Sequence, residues 1–207
     1  MKMIPLDVLW CSTTNCVCLI PTWLAFKRNL SEGILYFLTG LTSFVYHLHH
    51  KDEYNDPYIT YLDYYAIRYT DLILSDLCIY WVVTDHRIKQ FVLFSILPFE
   101  IFIVVTGYPY IRLISEILWV LLNIFYILFK KIEINKNKFY LALTSSFIEV
   151  IFYEVLTAKY PNYYNWIHGV HHIFGYLSIY FYMQKDLISE EISKKHRRVF
   201  SFENFIL

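Results

Sequence analysis

Residues 164–183 read YNWIHGVHHIFGYLSIYFYM, an unbroken run without Asp, Glu, Lys or Arg in which Asn165, Ser178 and three histidines interrupt an apolar, aromatic pattern. As an α-helix, a run of about 20 residues rises about 30 Å, the thickness of the hydrocarbon core of a bilayer. Working outward from this segment, six comparable stretches appear: Pro5 to Phe26, Gly33 to His50, Tyr64 to Thr84, Ile88 to Thr106, Tyr110 to Phe129 and Lys138 to Ala158. The breaks between them, KRNLSEG, KDEYNDPY, DHR, GYP, KKIEINKNK and KYPN, carry the charge, Gly, Pro and Asn that end helices. Gly107-Tyr108-Pro109 also reads as a kink within one longer element, which would make the spans six. The sequence therefore predicts an all-α membrane protein: a seven-transmembrane helix bundle over residues 1–185 and a tail over 186–207.

The composition agrees. Of 207 residues, 57% are hydrophobic and 20% aromatic, while only 17% are charged; soluble domains average about 25% charged. Lys plus Arg and Asp plus Glu balance at 18 each, which gives no basic footprint for nucleic acid. The four cysteines, Cys11, Cys16, Cys18 and Cys78, sit in apolar stretches without a CxxC pair and read as small buried hydrophobes. The first segment is interrupted by Asp7, is followed by Lys27-Arg28 and has no clear small-residue cleavage site, so it reads as a retained helix.

Lys and Arg set the orientation. One side collects Lys27, Arg28, Arg87, Lys89, Lys130, Lys131, Lys136, Lys138, Lys185, Lys194, Lys195, Arg197 and Arg198; the other holds Lys2, Lys51, Arg112 and Lys159. This places the amino terminus outside and the carboxyl terminus in the cytoplasm. Tyr54, Tyr58, Tyr61, Tyr64, Tyr160, Tyr163 and Tyr164 then fall where interfacial aromatic belts form.

Ionisable groups inside a span cost about 2.5–3.5 kcal/mol each on insertion scales, so each is a candidate for function or for a specific partner. Such residues are His47, Arg68, Asp71, Asp76, Glu100, Glu116, Glu149, Glu154, His168, His171 and His172. His168 and His172 lie four apart, on one helix face. The alternating topology brings His47, near the end of the second span, to the depth of Asp71, His168 and His172 near the starts of the third and seventh. Three imidazoles with a carboxylate or a water make a tetrahedral zinc set; equally, polar side chains in spans can act as hydrogen-bonding glue. Ser43 lies one turn before His47 and could bond a water or a substrate oxygen, or simply its own helix. Asp71 could orient or deprotonate a water, with Asp63 a rival at the membrane edge. Asp76 reads as a partner for Arg68 or another polar group, His49 and His50 as interfacial, and His171 as a packing or supporting residue.

The order Ser43-x3-His47, Asp71 and His168-x3-His172 resembles the CREST superfamily of seven-span membrane proteins, which includes alkaline ceramidases and the progestin and adipoQ receptors. Within it the chain is most similar to the transmembrane protein 8 family, through PTWLAFKRNLSEGILYFLTGLTSFVYHLHH, IRYTDLILSDLCIYWVV and YYNWIHGVHHIFGYLSIYFYM. The resemblance implies Zn2+ held by His47, His168 and His172 with Asp71 close to the metal, and Ser43 nearby. It also implies a multipass plasma-membrane protein, a homodimer, that acts in myoblast fusion with membrane lipid and a fusogenic partner protein. Departures are visible. The tail KKHRRVFSFENFIL lacks the cysteines of lipid-modified relatives, and nothing in it separates plasma membrane from Golgi. Vertebrate relatives depart from the superfamily pattern at the Ser and third-span Asp that this chain keeps. The alternative expectations are therefore a zinc-dependent lipid amide or ester hydrolase, in which Asp71 and Ser43 are catalytic, and a lipid-binding receptor.

Overall fold

The computed structural model describes residues 4–49, 64–83 and 135–184, with short helical pieces between 97 and 125. Among the described residues every regular element is helical. Helix α1 (Leu6–Thr14) continues through a 3-10 stretch, Asn15–Cys18, into α2 (Leu19–Phe26). Pro21 explains the break: it has no N–H for the carbonyl of Val17, and its ring crowds that carbonyl, so the preceding turn tightens. Helix α3 (Leu30–Leu48) starts at Asn29, whose side-chain oxygen accepts from the Ser31 N–H at 2.8 Å; such caps are worth about 1 kcal/mol. Helix α4 spans Tyr64–Val83. Helix α5 (Lys136–Val150) starts with Asn135 accepting from the Lys138 N–H and widens into a π-helix over Ile151–Leu156 before a final turn at Thr157–Lys159. Pro161 opens a short 3-10 turn, and α6 (Tyr164–Gln184) follows.

These limits match the expected first, second, third, sixth and seventh spans to within a few residues. The α1–α2 rod, Leu6–Phe26, and the α5 rod, Lys136–Lys159, are long and apolar enough to cross a membrane. Helices α3, α4 and α6 have 19, 20 and 21 residues and carry most of the polar side chains discussed below. The expected fourth and fifth spans lie mostly outside the described residues, as do the tail, Asp63, His50, Glu100 and Glu116.

The helices alternate in direction. Ala25, Tyr36, Cys78, Trp81, Phe139, Ala142, Tyr182 and Met183 form one apolar cluster, joining the end of α2, the start of α3, the end of α4, the start of α5 and the end of α6. Small residues let the helices close up. A Cβ on Gly40 would overlap the Cys18 sulfur, and a Cβ on Gly169 would overlap the Trp10 indole. Small residues permit the same close backbone approach where helices associate in lipid.

Polar bonds tie the rods together inside. Thr39 Oγ1 and Cys78 Sγ lie 2.9 Å apart, the Tyr176 hydroxyl donates to Asn15 Oδ1 at 3.2 Å, and Ser146 and Ser178 pair at 2.6 Å. The outside is apolar: Leu6, Trp23, Leu30 and Phe147 are all at least 60% exposed, while Asp76, Asn15, Ser43 and His47 are at most 2% exposed.

Candidate metal centre

The buried stripe of α3 is Gly33, Tyr36, Gly40, Ser43 and His47, residues spaced three or four apart. It carries His47 to the end of the bundle opposite the apolar cluster. There α6 begins, and its first turns present His168 and His172 one above the other. The three imidazoles form a near-equilateral triangle, with ring centroids 4.9 Å apart for His47 and His168, 4.9 Å for His47 and His172, and 4.6 Å for His168 and His172. The Nε2 atoms of His47 and His172 are 2.9 Å apart, so one ring donates and the other accepts. Helix α1 adds Cys11, which is fully buried. One ligand atom from each of Cys11, His47, His168 and His172 lies within 4.8 Å of all the others, a group able to hold a metal ion.

The sequence brought the three histidines together correctly and did not bring Cys11. That thiol is buried, as a small hydrophobe would be, and it stands among the imidazoles as well. Cys18 and Cys78 are buried as expected, whereas Cys16 is exposed. A spacing search for CxxC cannot find a single cysteine whose partners lie on other helices. The depth comparison that aligned the histidines would have found it, because Cys11 stands six residues into the first span, as His168 and His172 stand four and eight into the last.

Asp71 is buried on α4 and is not one of the four clustered donors. It is near enough to act electrostatically on Cys11 and Tyr176, so it belongs to the same end of the bundle. Ser43 is buried one turn below His47 on the same face. His171 points to a second layer. Its Nδ1 is 3.7 Å from Glu149 Oε1, and its ring lies 4.8 Å from that of Tyr153 in the π-helix. Tyr153 also reaches His168, at 5.5 Å, so the widened turns bring α5 against the cluster. π-Helical turns of this sort are common beside functional groups.

One expectation needs correction. His49, expected at the headgroups, is only 2% exposed, because the last turn of α3 is covered by its neighbours. Asp76 is fully buried, whereas Arg68, two turns earlier, lies on the exposed side of α4. Tyr164, at the start of α6, stacks on His168 with centroids 5.0 Å apart and an interplanar angle of 14°. Tyr160 and Tyr163 are exposed, and Glu154 faces outward from the π-helix.

No protein-family profile, curated protein or solved structure matches the chain.

Proposed function

We propose that Cys11, His47, His168 and His172 hold a zinc ion that braces α1, α3 and α6 at the outer end of a seven-span plasma-membrane protein acting in cell–cell fusion. The fourth protein donor carries this reading. One thiol and three imidazoles are a donor set that suits tetrahedral zinc, and four protein donors are the mark of a structural site, whereas hydrolytic sites keep one position for water or substrate. Zinc bound there supplies coordination bonds between helices. The residues around it supply shape: Tyr164 and Tyr153 pack on His168, and Glu149 stands beside His171.

Three features support the membrane assignment. The α1–α2 and α5 rods have the length and apolarity of spans. Large apolar side chains face outward while Asp, Asn, Ser and His are buried, the reverse of the pattern expected in water. The end of α4 and the start of α5 share the apolar cluster, which suits the fourth and fifth spans expected from the sequence between them. The excess of Lys and Arg beyond the apolar end then sets that end in the cytoplasm, with the amino terminus and the metal end outside.

The fusion reading follows the similarity of the chain to the CREST superfamily and, within it, to myomaker of the transmembrane protein 8 family. Short loops leave little to dock a partner cell, so the protein would work through membrane lipid, a second copy of itself and a fusogenic partner. A second reading, zinc-dependent hydrolysis of a lipid amide or ester, is favoured by Ser43 and Asp71 buried at the same end of the bundle. In that case Asp71 moves the proton and Ser43 holds the carbonyl oxygen. Fusion of cells expressing the His47→Ala and His168→Ala variants, checked for surface delivery, tests the first reading. Loss of fusion is expected, and full fusion by a delivered, zinc-free variant refutes it. Turnover of ceramide-type lipid by the purified wild type would favour the hydrolase.

A further inference from the structure

Helix α1 is held against α6 by contacts outside the donor set. Asn165 Nδ2 donates to Asp7 Oδ2 at 2.7 Å, linking residues 158 positions apart in sequence. One turn further along α1, Trp10 Nε1 donates to the Trp166 carbonyl at 3.2 Å, and the two indoles lie 5.7 Å apart. The Trp10 ring rests on Gly169, where any side chain would overlap it. Asp7 and Trp10 thus precede Cys11 on the outer side, and their partners Asn165 and Trp166 lie three and two residues before His168. At its other end α1 runs into the 3-10 stretch Asn15–Cys18, where α-helical bonding is interrupted. Such a stretch within a helix is a place where a segment can pivot.

We propose that Asp7–Asn165 and Trp10–Trp166 form a latch that seats α1 on the three histidines, so that Cys11 is a releasable donor with Asn15–Cys18 as its hinge. The inference rests on the metal reading for its chemical consequence. With the latch closed, the cluster has four protein donors. With it open, His47, His168 and His172 from α3 and α6 remain together and present a position to an incoming oxygen or nitrogen ligand. The latch residues are positioning residues, since neither Asp7 nor Asn165 is among the clustered donors. The chain carries its own controls: Cys16 is exposed, while Cys18, at the far end of the hinge, and Cys78, on α4, are buried.

The test is maleimide labelling of the full chain in detergent, read at each cysteine by peptide mass, with zinc measured on the same samples. In wild type Cys16 labels and Cys11, Cys18 and Cys78 do not. In Asn165→Ala, Cys11 labels about tenfold faster, the change expected for losing one well-formed hydrogen bond from a closed state. Cys18 and Cys78 stay protected. Trp10→Phe keeps an aromatic ring on α1 but loses the indole N–H and the five-membered ring that rests on Gly169, so it opens the latch from the other helix and guards against misfolding of the first variant; there too Cys11 labels faster. Unchanged protection of Cys11 in both variants overturns the latch. Equal exposure of Cys11, Cys18 and Cys78 in both also overturns it, because α1 would then not move by itself. Absence of zinc from wild type removes the metal reading, while the masking of Cys11 still answers for the latch.

Discussion

At one end of the bundle Cys11, His47, His168 and His172 meet from three helices; at the other, Ala25, Tyr36, Cys78, Phe139 and Met183 pack by shape around five. The two ends hold the same rods by different means. The apolar end depends on small residues and close approach, with Gly40 against Cys18 and Thr39 bonded to Cys78. On the proposed membrane reading each of its contacts is individually modest, since lipid competes with apolar packing and interhelical hydrogen bonds in membranes average about 0.6 kcal/mol. The polar end concentrates its stabilisation in a few groups whose burial is costly unless they are satisfied. The difference teaches where damage spreads: on the proposed metal reading, loss of one donor leaves the others buried without an ion to satisfy them, whereas loss of one apolar contact is absorbed locally.

Substitutions at the two ends should therefore differ in size and in kind. His168→Ala is expected to have the largest effect, abolishing zinc binding and costing about 4 kcal/mol or more, the range reserved for loss of a metal or a buried network. Thermal unfolding in detergent measures it, and a chelator should destabilise wild type but leave this variant unchanged. Gly40→Ala, at the other end, drives a methyl into the Cys18 sulfur and should cost about 1–3 kcal/mol. Its zinc content should equal that of wild type, and a loss of zinc there would mean that the two ends are not independent. Asp71→Asn preserves shape and leaves the four donors intact, so zinc should be retained with a change of about 1 kcal/mol or less in stability. Metal lost with Asp71→Asn would make that carboxylate a ligand. Thr39→Val, which deletes the bond to Cys78, should cost least, about 0.6 kcal/mol.

Much of this was legible in the sequence, and the parts that were not have specific reasons. Helix limits came from runs of apolar residues between breaks such as KRNLSEG and KYPN, because both the requirement for 20 residues and the breaker chemistry are local. His47, His168 and His172 could be brought together because alternating helices make depth computable from position along each span. Cys11 required the same reasoning but was classified by residue type, and a thiol in an apolar run looks like any small hydrophobe until its neighbours are known. The burial of His49 and the stacking of Tyr164 on His168 depend on how neighbouring helices are rotated about their axes, which hydropathy does not specify. The π-helix over Ile151–Leu156, which brings Tyr153 to His168 and His171, has no signature in residue pattern that sets it apart from an ordinary apolar turn.

The most direct test of the central claim is metal analysis of the detergent-purified full chain beside His168→Ala, with thermal unfolding recorded on both. The account predicts about one zinc per chain in wild type, as a single tetrahedral site requires, and its loss, together with much of the stability, in the variant. A folded wild type without zinc, as stable as His168→Ala, would contradict it.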